Sequence, residues 1–329
     1  MVTMKKQTIK KKHHYVPESY LKAFCGNDAM LAVYRKDAPT EPFRRRPGEV
    51  AFHKYYYAQP LPDGGRDTNR LEDFFSELED KWPWIVDALA ARDMVNDRLG
   101  DIFAFVALQR ARVPAARDAA EQMLAATVLA TARQLEAEGK LPPPPKGHEN
   151  LLDDVVVSID PHQSIHAMLQ IIEAMGQVLH RVGFVVLHNQ TDRDFITSDN
   201  PVIYFDPSVS NEALRPYGLQ PNGNVVLMMP VAPQLMLFGT SWDKARFAER
   251  GIEHCAIVDR DKVAAMNEKV VRFAYEAVFA GQEPDEGMIR AHAAQSPVLK
   301  ATHLPLASGR GIHFEHVFGQ RTKQPKWKR

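Results

Sequence analysis

The chain has 329 residues, 45% of them hydrophobic and 25% charged, with 41 Lys+Arg balanced by 41 Asp+Glu. That composition belongs to a folded globular chain and excludes a largely disordered or collagen-like one. The zero formal charge gives no global bias toward nucleic acid or a membrane surface. Two cysteines, Cys25 and Cys255, with no CxxC, exclude a disulfide framework and a zinc site of that type. A reducing cytoplasm is the expected compartment. No apolar run of signal-peptide length follows the N-terminal lysines, and stretches such as 182–187 fall far short of the roughly 20 residues of a membrane helix. No membrane association is expected.

Charge is uneven locally. Lys5, Lys6, Lys10, Lys11 and Lys12 crowd the start, Arg44, Arg45 and Arg46 follow, and Arg321, Lys323, Lys326, Lys328 and Arg329 crowd the end. Residues 1–12 and 319–329 read as basic tails around one domain spanning 13–318. Such tails could touch nucleic acid or another polyanion.

In chain order, Pro17 can open a short helix carrying Tyr20, Leu21 and Phe24 at one-turn spacing. Residues 30–34 read as a strand, 39–42 as a turn, 50–57 as extended chain and 60–65 as a loop. Asn69 and Glu72 suggest a capping box. Leu71, Phe74, Phe75, Leu78, Trp82, Ile85 and Leu89 then keep helical spacing, with a kink predicted at Pro83. A second helix begins near Asp97, is interrupted at Pro114 and resumes to about Glu138. The prolines of 142–145 mark an exposed loop near 139–150. Asp160 before Pro161 is a strong helix start. Strands follow at 183–187, 195–197, 225–229 and 235–239, the last two as neighbours, then helices at 261–279 and 285–295. The pattern is α+β, a helix-rich N-terminal half packed on a mainly antiparallel sheet from the C-terminal half. No G-x-G-x-x-G or Walker loop occurs, so nucleotide binding of those kinds lacks its physical basis.

Several polar residues need explaining. Leu99, Ile102, Phe103, Val106 and Val113 define an apolar helix arc that contains Arg110, with Gln109 at its edge and Arg112 outside it, toward solvent. A core-facing guanidinium requires acceptors for its donors, so Arg110 is predicted to meet an acid, either as a structural ion pair or as part of an anion clamp. Glu72 and Glu79 on the preceding helix are the candidates. Seven residues separate them by about 10.5 Å, too far to clasp one small ion. His13 and His14 in extended chain point opposite ways, so one of them can serve as an acid/base group. Tyr55, Tyr56 and Tyr57 alternate likewise, and one or two can line a groove. Asp199 and Asn200 follow a strand and precede Pro201; they either shape a tight turn or contact a ligand, a metal or Arg110. His162 and His166 have metal-ligand spacing, but Glu173 lies too far along the helix to share their ion and no HExxH is present. No cofactor or metal is assigned from the sequence.

His13-His14-Tyr15-Val16-Pro17-x-x-Tyr20-Leu21-x-x-Phe24 resembles the N-terminal signature of the DUF4238 family, a bacterial family of unknown function. The tyrosines at 55–57, Glu72 and Glu79, the segment Gln109-Arg110-Ala111-Arg112-Val113-Pro114, the run from Phe195 to Val202 and the strand pair around Pro230 and Pro233 also resemble it. The similarity covers about residues 8–280. It implies no activity, cofactor or substrate, only that the polar positions above are motif positions.

The sequence supports an expectation of a hydrolase, phosphoester- or nucleic-acid-cleaving, in which His13 or His14, Glu72 or Glu79, Arg110, Asp199 and Asn200 share a pocket. The alternatives are a binding module for nucleic acid or an anionic ligand, and a structural protein whose polar network fixes its packing.

Overall fold

The computed structural model describes residues 9–282, 284–306 and 309–321. The first half runs β1 (Lys12–His14), α1 (Glu18–Lys22), β2 (Leu31–Arg35), β3 (Ala38–Arg45), β4 (Phe52–Lys54), β5 (Gln59–Pro60), β6 (Arg66–Asp67), α2 (Arg70–Glu79), α3 (Trp82–Ala91), α4 (Leu99–Arg112), α5 (Pro114–Ala137), α6 (Leu151–Asp154) and α7 (Pro161–Leu179). The second runs β7 (Gly183–Asn189), β8 (Thr197–Ser198), β9 (Ile203–Phe205), β10 (Val226–Ala232), β11 (Leu235–Thr240), α8 (Lys244–Arg250), β12 (Glu253–Ile257), α9 (Arg260–Phe273), β13 (Ala277–Ala280), α10 (Glu286–His292), β14 (Ser296–Leu306) and β15 (Gly309–Gly319). Helix and strand are mixed, and the strands form several mostly antiparallel sheets.

The largest sheet has the order β12-β7-β11-β10-β9. Its core strands are runs of Val, Leu, Met and Phe, the composition of strands buried on both faces. β10 and β11 are antiparallel neighbours, as their spacing predicts; β12 beside β7 is parallel. A second sheet has the order β3-β2-β13-β8. It joins β2 and β3 from the first half with β8 and β13 from the second, so sheet strands are not confined to the second half. The segment 39–42, read as a turn, lies inside β3, at the register shift where β3 passes from Phe43 opposite Val33 to Ala38 opposite Arg35.

Helix boundaries follow local chemistry. Pro83 starts α3 near its N-terminus rather than kinking one long helix. Asn69 is not a side-chain cap: its Oδ1 accepts the Lys10 N–H and the Thr68 hydroxyl. Asp160 is a true cap, accepting the His162 N–H at 3.0 Å. The helix read over 261–279 ends at Phe273, and β13 follows.

One core cluster wraps α3 and α4 against the large sheet, with Trp82 stacked on Phe105 at 3.8 Å. Another gathers α9, α10 and the outer strands. Burying each such ring contributes about 2–3 kcal/mol. Tyr20, fully buried, gives its hydroxyl proton to the Pro230 carbonyl at 2.6 Å and so ties the first helix to β10. The loop at 139–150 is exposed throughout. Of the segments read as tails, residues 1–8 and 322–329 lie outside the described residues; the described parts are exposed or half-buried and make some contacts. Lys12 is in β1, Lys10 pairs with Asp73 at 3.0 Å and Arg321 pairs with Glu276 at 2.6 Å. Among the described residues no helix is long and apolar enough to cross a membrane.

Candidate functional site

The last two turns of α4 are buried on every side, from Phe105 to Arg112. An apolar arc therefore cannot tell which of its arginines faces the interior. Arg112, expected toward solvent, is 1% exposed. Its Nη1 donates to Glu79 Oε1 at 2.5 Å and its Nε to the Tyr15 carbonyl at 3.0 Å. Gln109 Nε2 donates to the same carbonyl at 2.9 Å. The acid predicted for Arg110 thus serves Arg112.

Two further groups gather at this ion pair. Antiparallel pairing with β4 points His13 and His14 to opposite sides. His14 lies against Phe52, ring centroids 5.5 Å apart, and feels the charge of Glu18 and then those of Arg112 and Glu79. Burial lowers its pKa, so its ring is neutral near pH 7. Glu72, half-buried on α2, also feels the charges of Arg112 and Glu79. Burial pushes its carboxyl up to about 7; Arg112 pulls it down and Glu79 adds to the rise. Four atoms of this group, His14 Nε2, Glu72 Oε1, Arg112 Nη2 and Gln109 Oε1, are buried without a hydrogen-bond partner among the described residues. Buried polar atoms are rarely left so. His14, Glu72 and Glu79 remain partly exposed, which gives solvent a path to them.

The other predicted residues lie elsewhere. His13 is fully buried; its Nδ1 accepts the Tyr57 N–H at 2.9 Å and its Nε2 faces the Lys10 carbonyl at 3.1 Å. That pairing requires the neutral Nε2–H tautomer and makes His13 a brace for the tyrosine segment. Asp199 is fully buried and accepts the N–H groups of Tyr275 at 2.8 Å and Glu276 at 2.6 Å. Burial, with Glu276 adding to it, pushes its carboxyl up to about 7. Its nearby counter-charge is Lys36, whose Nζ donates to the carbonyls of Val271, Ala274 and Gln295. Three acceptors suit an ammonium and not an amine, although burial lowers its pKa to about 7. Asp199 therefore meets backbone N–H groups, not Arg110, and its charge is felt at Lys36. Asn200 closes a tight turn by donating its N–H to Ser198 Oγ, and its side chain donates to Tyr217 Oη and the Phe273 carbonyl. Arg110 lies over the Tyr217 ring. The seven residues thus divide among separate networks, with His14, Glu72 and Glu79 together around an arginine that the helix arc had set aside.

A cleft of about 1530 Å³ lies on the other side of Tyr15. Tyr55 and Tyr56 line it, but in a turn rather than a strand: Tyr55 is left-handed at φ 56°. None of the seven residues is in its wall, though the Tyr275–Glu276 backbone that Asp199 holds is. Arg117, which no periodicity singled out, anchors this wall. It is 2% exposed, stacks on Tyr56 at 4.0 Å and donates to the Tyr56 carbonyl at 2.6 Å. Only its place just after Pro114 in an otherwise alanine-rich helix distinguished it. Of the arginine triplet, Arg45 reaches the cleft, while Arg44 is held by Asp28 at 2.6 Å. Among the described residues no group of three or more His, Cys, Asp or Glu is placed to hold a metal ion.

The chain matches the model of DUF4238, described as a protein of unknown function, over residues 12–284. It is a member of that family. No curated protein and no solved structure matches it.

Proposed function

We propose that the chain is a hydrolase of an anionic ester, a phosphoester or nucleic-acid linkage, whose acid–base groups are His14 and Glu72. The observation that carries this reading is the gathering, from three chain segments, of a neutral imidazole, a carboxyl with pKa about 7 and an Arg112–Glu79 pair, with four buried polar atoms left unpartnered. A general base and a general acid work best with pKa values near the operating pH. In this reading His14 takes the proton of the attacking water. Glu72, protonated in about half the molecules at pH 7, gives one to the departing oxygen. Arg112 is a positioning residue: fully buried, it holds Glu79 and the Tyr15 segment in place and tunes Glu72. The test is turnover of model phosphomonoesters, phosphodiesters and short oligonucleotides by the wild type, His14→Asn and Glu72→Gln. Loss of turnover in both folded variants supports the assignment; unchanged turnover in both removes it.

A second reading, binding of an extended anionic ligand without chemistry, is favoured by the cleft. Its volume exceeds the roughly 300–1,000 Å³ of small-molecule pockets, and Tyr55, Tyr56 and Phe43 share its wall with Arg45 and Lys54, and with the acids Asp37, Glu49 and Glu121. Aromatic rings beside cations suit a single strand of nucleic acid. Oligonucleotide binding lost in Lys54→Glu and retained in Glu72→Gln supports it; binding unaffected by the Lys54 substitution contradicts it.

A further inference from the structure

Arg110 and Arg112 stand about 200° apart around α4 and have opposite fates. Arg112 has its carboxylate. Arg110, 5% exposed, has Nε and Nη1 without a hydrogen-bond partner and belongs to no ion pair among the described residues. Its guanidinium carbon lies 3.7 Å from the centroid of the Tyr217 ring. A ring face attracts a cation, but it accepts no in-plane N–H and carries no net charge to neutralise one. The C-terminal end of α4 adds only a partial negative charge. A buried guanidinium in this condition is costly unless an anion completes it.

The surroundings are built around that ring, and among the described residues the acids Asp199 and Glu315 near it are engaged elsewhere. Tyr217 is left-handed, at φ 59°, a conformation costly for a bulky residue. It is held there by its N–H to the Tyr204 carbonyl at 3.2 Å and by Asn200 Nδ2 donating to its hydroxyl at 2.6 Å. His316 packs edge-on against Tyr217, centroids 5.3 Å apart. The charge of Arg110 is felt at Tyr204, Tyr217 and His316. Asp199 is felt at Tyr217, but both its oxygens are occupied by backbone N–H groups. Glu315, next to His316, is turned to Arg215 at 3.6 Å. Tyr204 and His316, where this charge is felt, are only half-buried.

We propose that Arg110 is the anchor of a second site, independent of the acid–base group, that binds a small oxyanion such as a phosphate or carboxylate group at the edge of its guanidinium, whose face is held by Tyr217. Guanidinium donors match either oxyanion. The Tyr217 platform explains why a strained tyrosine and a buried, unpaired arginine are found together.

The test is binding of inorganic phosphate, and separately of acetate, by the full chain at constant ionic strength. Calorimetric titration and thermal unfolding are the readouts, on the wild type, Arg110→Met and Arg110→Lys. The expected result is saturable binding by the wild type, with a midpoint of unfolding that rises with anion concentration. Arg110→Met loses the response and, in anion-free buffer, is at least as stable as the wild type, because it removes an uncompensated charge. Arg110→Lys keeps a response at least about tenfold weaker in Kd. Binding of phosphate but not acetate assigns the site to phosphate; the reverse assigns it to carboxylate. Absence of binding of either anion by the wild type overturns the proposal, and so does an equal response by Arg110→Met. None of these readouts depends on hydrolysis.

Discussion

Arg112 Nη1 donates to Glu79 Oε1 across 2.5 Å and locks the last turn of α4 to the end of α2. The arginine is 1% exposed and the glutamate 22%. Losing the acid strands a buried guanidinium, whereas losing both charges does not. Glu79→Ala should therefore cost about 3 kcal/mol, and adding Arg112→Met to it should restore part of that loss. Urea unfolding of the two variants measures both; a double variant less stable than Glu79→Ala would contradict a charge-driven loss.

Glu72 gives a pH prediction. Its folded-state pKa is raised from 4.5 to about 7. A raised carboxyl favours the folded state while protonated, so this contribution is complete below pH 4.5 and is lost as pH rises toward 7. Glu72→Gln does not ionise. Relative to wild type it should gain about 1–2 kcal/mol between pH 5 and pH 8, discounted for the partial exposure of Glu72. Unfolding free energies at the two pH values check this, and a constant gap would refute it.

Much of the framework was legible before any coordinates. The β10–β11 pair, the Asp160 cap and the opposed directions of His13 and His14 follow from local rules of strand period and capping. The choice between Arg110 and Arg112 did not, because a helical arc reports burial only when one face meets solvent, and the end of α4 has no such face. The role of Asp199 was hidden for another reason. Its partners are backbone N–H groups some 76 residues away, and backbone acceptors and donors carry no sequence signal. The tyrosines at 55–57 were misjudged as strand because nothing in a side chain announces a left-handed residue.

Asp199 should be a structural requirement of the cleft wall. Asp199→Asn replaces one acceptor oxygen by a donor facing a backbone N–H and removes the negative charge felt at Lys36. A loss of about 2–4 kcal/mol is expected, with faster amide hydrogen exchange at Tyr275 and Glu276. Exchange at those two amides unchanged from wild type would contradict the role.

His13 should stay a neutral Nε2–H tautomer down to pH values below its ordinary range, since burial lowers its pKa. Its neutral-form stabilisation is present above pH 6.5 and is lost as pH falls through the lowered value. Long-range ¹H–¹⁵N NMR correlations identify the tautomer. A protonated Nδ1 would break the predicted bond to the Tyr57 amide.

Tyr55 holds a left-handed backbone at the cleft. Tyr55→Gly relieves about 1 kcal/mol of that strain, so stability should be unchanged or higher even as the aromatic wall is reduced. Denaturant midpoints decide it, and a marked loss would show that the ring is a packing element.

The central claim is that His14, Glu72, Glu79 and Arg112 act on one another as one acid–base group. Its most direct measurement is the titration of the Glu72 carboxyl, followed by ¹³C NMR in the folded wild type, Glu79→Gln and Arg112→Met. The account predicts a midpoint of about 7 in the wild type, lower when the charge of Glu79 is removed and higher when that of Arg112 is removed. A wild-type midpoint near 4.5, unmoved by either substitution, would contradict it.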